Sequence, residues 1–193
     1  MSIESPIAFK AKYITSKRNR LVCLLRLLFV IPFGIVDYFI SSTLYYIVPV
    51  VGIWLVIVQH YPQFLFDFII HVIKFKLRYA LYFFLVTDEY PTFTDIDQMS
   101  FKVLKSDRLD RFKPLYKWFL AIPHFLSLIV LAFVLIVVFV IGYVQVVFFG
   151  KMPRFCHNFV VNYYKWWLDV FFYALFLVTD EYPKYNFRTL FSD

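Results

Sequence analysis

Polar positions almost vanish from two long stretches of this chain, Leu21–Gln59 and Leu115–Phe149, each entered from a basic segment. As one helix, even the shorter would run to about 52 Å, against roughly 30 Å of bilayer hydrocarbon. The pattern therefore predicts that each stretch folds back as a hairpin of two spans. Ser41, Ser42 and Thr43 mark the turn of the first; the second is placed near Val130–Phe133. The resulting arms of about 17 residues are short, which leaves bilayer thinning or a partly re-entrant hairpin open.

A different periodicity follows each stretch. Between residues 62 and 86 stand Gln63, Asp67, His71, Lys74, Arg78 and Tyr82. Steps of three and four set them on one stripe of a helix. Residues 153–178 carry Arg154, Asn158, Asn162, Lys165, Asp169 and Tyr173 at the same spacing. A narrow polar stripe on an apolar helix predicts an amphipathic element in the membrane interface or packed on the hairpins. Lys74, Arg78, Lys165, Asp169, Tyr82 and Tyr173 are its candidate contacts to lipid headgroups or partners, with plain solvation of a polar face weighing about equally.

The two halves share more than periodicity. FLVTDEYP occurs at Phe84–Pro91 and again at Phe176–Pro183. Upstream, Ile31-Pro32 answers Ile122-Pro123, Arg26 answers Lys117, and Pro62 with Phe64 answers Pro153 with Phe155. The sequence therefore reads as a tandem duplication. Its parts are a basic N-terminus (1–20), repeat 1 (21–93: hairpin 21–59, amphipathic helix 62–86), a linker (94–113), repeat 2 (114–185: hairpin 115–149, amphipathic helix 153–178) and a tail (186–193). The expected fold class is an all-α integral membrane protein with four spans.

Charge sets the expected topology. Lys10, Lys12, Lys17, Arg18 and Arg20 precede the first stretch, and Lys102, Lys105, Arg108, Arg111 and Lys113 precede the second. A third span per repeat would separate these groups, against the positive-inside rule. Two spans per repeat put both termini and the linker in the cytoplasm, with Arg26 and Lys117 snorkelling from helix ends. The first twenty residues are too polar for a signal peptide, so the first stretch is expected to remain as an anchor.

Composition agrees with lipid as a solvent: 62% of residues are hydrophobic, mean hydropathy is +0.70, and aromatics reach 23%. A soluble domain is about 45–50% apolar. The net charge of +7 lies beside the apolar runs, which points to membrane flanks and not to nucleic acid. Cys23 and Cys156 imply no disulfide framework.

PLYKWFLAIPH (Pro114–His124), GKMPRF (Gly150–Phe155) and NYYKWW…YALFLVTDEYP (through Pro183) together resemble a bacterial and archaeal membrane family. That family is a domain of unknown function marked by KWLLAIPH-like and LTDxYPPF-like motifs. The resemblance is weaker over Leu21–Phe93 and stronger over Phe101–Tyr185; Thr92 and Lys184 replace its second proline. It implies a short extended segment before the KW motif, here FKVLKSDRLDR at Phe101–Arg111. It implies a location in the cytoplasmic membrane and no assigned reaction.

The sharpest chemical motif is TDEYP. Asp88, Glu89, Asp180 and Glu181 are candidate acidic sites, yet Pro91 and Pro183 also make the motif a helix stop with turn chemistry, the favoured reading. Acids at a helix C-terminus oppose its dipole, so a compensating contact is expected. His60, His71, His124 and His157 lack metal spacing, and no nucleophile–base pattern or phosphate loop can be assembled. The expectation is a non-enzymatic protein without cofactor: a scaffold or accessory subunit packing on phospholipid and on membrane-protein partners or itself. A lipid- or hydrophobe-binding protein and a homo-oligomeric channel are the alternatives. Arg78 and Asp169, at equivalent positions of the two repeats, are expected to meet.

Overall fold

A computed structural model describes residues 7–92, 94, 97–105, 110, 112–185 and 190; Arg108 and Arg111 of the linker fall outside them. The order is β1 (Ile7–Ala11), α1 (Arg20–Val58), α2 (Gln63–Phe83), β2 (Met99–Val103), α3 (Lys113–Leu120), α4 (Ile122–Phe149) and α5 (Arg154–Ala174). The protein is mostly helical, but it is not all-α. β1 and β2 form an antiparallel pair with Phe9 opposite Phe101. Both strands alternate, so Ile7, Phe9 and Phe101 are buried while Lys10 and Lys102 reach solvent. Phe101 meets Phe172 of α5 at 6.2 Å between ring centroids.

The expected turn at Ser41–Thr43 is also corrected. α1 runs unbroken through it, 39 residues in all. The hydroxyls that marked the turn are satisfied within the helix instead: Ser42 and Thr43 donate to the Phe39 carbonyl, and Ser41 donates to Asp37. The second stretch likewise shows no turn at Val130–Phe133. Its only interruption is Ala121, beside Pro123, which lacks the N–H that would continue the helix. α1 and the α3–α4 rod are both long and apolar enough to cross a membrane. The two long helices end alike, at Gln59 (φ 61°) and Gly150 (φ 72°), whose amides bond back to Leu55 and Val146.

α1 and α3–α4 run antiparallel. Tyr143 donates to the Leu24 carbonyl and the Arg18 amide to Gly150, so α1 starts where α4 ends. Gly52, Ile53 and Ile57 share a cleft with Pro114 and Leu115, so α1 ends where α3 starts. Arg18 and Lys113 therefore lie at opposite ends of the rods, not together as the charge pattern suggested.

α2 returns along α1, and α5 along α4. These amphipathic helices are not surface elements: they are the most enclosed part of the molecule, with Ile69, Ile73, Phe159, Leu168 and Phe172 fully buried. By contrast α1 buries only a narrow stripe, including Cys23, Arg26, Val30, Leu44, Val51 and Leu55, and leaves the rest of its apolar circumference bare.

Candidate functional site

α2 and α5 end in the same way. Each is followed by a leucine in the left-handed region, Leu85 (φ 62°) and Leu177 (φ 56°), a conformation that a branched side chain adopts only at some cost. Both leucines are buried, and that burial offsets the strain. The reversal brings TDEYP back onto the helix it has just left. Thr87 and Thr179 accept a hydrogen bond from the amides of Glu89 and Glu181, each at 3.1 Å, closing the turn. Pro91 and Pro183 are buried behind it.

Into each turn reaches a cation from the start of a long helix. Arg26 donates to the carbonyls of Tyr82 (3.1 Å) and Thr87 (2.8 Å) and to Asp88 Oδ1 (2.5 Å). Its guanidinium lies 4.4 Å from the Tyr82 ring centroid, and Tyr90 packs on that ring at 5.2 Å. Lys117 repeats the plan: it donates to the Thr179 carbonyl (2.7 Å) and Asp180 Oδ1 (2.5 Å), 5.2 Å from the Tyr173 ring, with Tyr182 packed at 5.5 Å. Carbonyl, carboxylate and ring face together replace the water each cation has lost.

The two clamps differ at their rims. Arg18 joins the first, with Nε 3.2 Å from Asp88 Oδ2 and its other nitrogens on the Leu85 and Val86 carbonyls. Lys113 (3.4 Å) and the Asp110 amide (2.9 Å) join the second at Asp180 Oδ2. Burial pushes the Asp180 carboxyl up, but the Lys117 bond, the Asp110 amide and the two lysine charges outweigh it and hold it below the ordinary range. A depressed carboxylate stabilises the fold above its unfolded value and stops doing so as pH falls. Acid unfolding of the second clamp is thus expected below pH about 4, read by circular dichroism, and Asp180→Asn should remove that component.

These contacts sort the residues singled out from sequence. Asp88 and Asp180 have the compensating partners that their position at a helix end demanded, so TDEYP is more than a stop. Arg26 and Lys117 do not snorkel: only 2% and 1% of their side chains are exposed, because carboxylate and carbonyl partners await them inside. Tyr82, Tyr173 and Arg78 are buried too, so they are not contacts to lipid headgroups. Arg78 donates to the Thr92 carbonyl at 2.9 Å. Among the described residues it makes no ion pair with Asp169, whose charged neighbour is Lys165, one turn back on α5. Lys74 and Lys165 are half-buried, while Glu89 and Glu181 present only backbone amides to the turn. Arg18 and Lys113 were read only as flanking charge, and Lys76 was missed; it pairs with Asp37 at 3.2 Å in mid-helix.

Asp169 itself is held up at about 6, chiefly by burial with Lys165 opposing. A raised carboxyl lets the folded state bind more protons, so stability falls as pH rises from about 4 to 6. Asp169→Asn is expected to stabilise the protein at pH 7.5 by about 1–2 kcal/mol and to flatten this part of the pH profile. Thermal melts at pH 5 and 7.5 will show it.

Nothing in either clamp supplies a nucleophile poised beside a base, and among the described residues no three His, Cys, Asp or Glu side chains gather as metal ligands. What the clamps do is tie the end of each amphipathic helix to the start of its long helix. Fold and site thus define a mostly helical protein with two helices fit to cross a membrane and a buried cation–carboxylate lock at the start of each. Residues 20–95, fewer than half of the chain and all within its first half, match the family model described as Domain of unknown function (DUF4389). That is the half whose motifs resembled such a family less closely. No curated protein and no solved structure matches the chain.

Proposed function

We propose that this protein is a non-enzymatic scaffold or accessory subunit of the bacterial or archaeal cytoplasmic membrane, built from two copies of one unit. The observation that carries the reading is the division of labour between surfaces. The charges of Arg26, Asp37, Lys117 and Asp180 are turned inward and paired, Arg26 with the more exposed Asp88, while α1 and α4 present large side chains outward, including Phe29, Tyr38, Phe39, Ile53, Phe133, Ile136 and Phe148. An apolar surface of this extent marks a site for lipid or another membrane protein. The paired clamps, the left-handed leucines and the matching helix ends support the duplicated plan.

The test is purification of the tagged full-length chain in a mild detergent. A stoichiometric membrane-protein partner is expected, and Phe39→Ala with Phe133→Ala should release it. A chain that purifies alone under every gentle condition counts against the reading. A second reading, a protein that holds a hydrophobic small molecule, is favoured by a cavity beside Asp37. Mass spectrometry of bound organic compounds tests that one.

A further inference from the structure

At mid-length α1 approaches α4, and α2 and α5 complete a half-open cavity of about 220 Å³. Both halves of the chain line it. Asp37, Lys76, Tyr79, Phe83 and Phe84 come from the first, Leu135, Tyr163, Tyr164 and Trp167 from the second. Its walls are mostly aromatic, with Ala80 and Leu135 among them, and hold one charged spot, where Lys76 Nζ lies 3.2 Å from Asp37 Oδ2 and 3.1 Å from Ser41 Oγ, and Ser41 donates to Asp37 Oδ1. Both carboxylate oxygens are thereby engaged, but an ammonium has three donors, and Lys76, 31% exposed, gives two of them to protein atoms. Ionisable groups halfway along an apolar helix ordinarily mark a functional path or site.

Three features define what would fit. The ion pair is neutral as a whole, so an anionic ligand would bring an uncompensated charge into an apolar setting, whereas a neutral one would not. Lys76 has a donor to give, so the ligand needs an acceptor oxygen. Flanking rings favour a flat partner by stacking. The volume is below the roughly 300–1,000 Å³ of pockets for drug-sized molecules, which suits a single substituted ring.

We propose that this cavity binds a neutral, single-ring aromatic or quinonoid compound whose carbonyl or hydroxyl oxygen accepts a hydrogen bond from Lys76. The proposal rests on the second reading above and names its ligand class. Such a ring could arrive as the head of a tailed membrane lipid or as a free small molecule.

The test uses the full-length protein in mild detergent and equilibrium dialysis with tail-free 2,3-dimethoxy-5-methyl-1,4-benzoquinone, the same head with an isoprenyl tail, and benzoate. Saturable binding of the tail-free head at one per chain is expected, with benzoate at least ten-fold weaker. Asp37→Asn with Lys76→Met removes both charges and strands neither; it should weaken binding about ten-fold, the value of one hydrogen bond from a charged donor. Ala80→Leu, at the cavity wall, should weaken it at least as much while leaving the ion pair intact. Tighter binding of the tailed head would identify a lipid source, and equal binding a soluble one; both sustain the proposal. No saturable binding, benzoate binding as tightly, or a double variant within two-fold of wild type overturns it. If the probes fail while another hydrophobe co-purifies, this ligand class falls and the broader reading stands.

Discussion

Asp180→Ala is expected to destabilise the full-length protein in detergent by about 3–5 kcal/mol, because it leaves the buried Lys117 ammonium with one carbonyl and a ring face. The cost comes mainly from the stranded charge. Adding Lys117→Met removes that charge and fills the space with an unbranched apolar chain, so the double variant should recover most of the loss. Thermal melts of the four proteins give the coupling directly. A double variant no better than the sum of its parts would show that the clamp is not a unit. Asp88→Ala is expected to cost less, although Arg18 and Arg26 both lose their counter-charge. Asp88 is 37% exposed against 20% for Asp180, so water reaches the first clamp more readily. Guanidinium groups are also more weakly hydrated than ammonium, and these two keep four backbone carbonyls between them.

Spin labels at Leu25 and Ile57, both on the bare side of α1, are expected to lie far apart. An unbroken helix separates them by about 48 Å, somewhat less if Pro32 and Pro49 bend it. A hairpin turning at Ser41–Thr43 would instead bring the two arms to about 10 Å, the spacing of packed helices. Pulsed dipolar spectroscopy separates these outcomes without ambiguity, in micelles or in vesicles. A short distance would return the chain to the four-span arrangement. A long one leaves a rod well in excess of the hydrocarbon thickness, which a bilayer accommodates by helix tilt or by the ends emerging.

That correction shows where residues stop informing. The apolar runs, the two amphipathic helices and their starts near Pro62 and Pro153 follow from periodicity, because helix faces repeat every three to four residues. The alternation in Ile7–Ala11 and Met99–Val103 was there to be seen, but five-residue strands carry little signal next to long apolar runs. Hydropathy alone could not tell one long rod from a folded hairpin. It counts apolar residues and is blind to Ser42 and Thr43 satisfying themselves on the Phe39 carbonyl. The clamps were half-visible: Arg26 with Lys117, Tyr82 with Tyr173, and the two TDEYP segments were matched as equivalents. Their convergence was not, since it depends on the left-handed reversals at Leu85 and Leu177, and leucine is not a residue that announces such a turn. Arg78 and Asp169 were expected to meet on the assumption that the halves point the same way. They point opposite ways.

The antiparallel course of α1 and α3–α4 bears on ancestry and assembly. If the two halves are copies of one unit, as proposed above, their antiparallel course is the geometry of an isologous dimer, each offering the other the same surface. A single-unit relative of the kind described by residues 20–95 would then be expected to complete its fold by pairing with a second copy of itself. On the duplicated plan proposed above, the partner is built into this chain and the two halves are free to diverge. The exchanges of arginine for lysine in the clamps and of Arg78 for Asp169 are changes that a symmetric pair of identical chains could make only in both members at once.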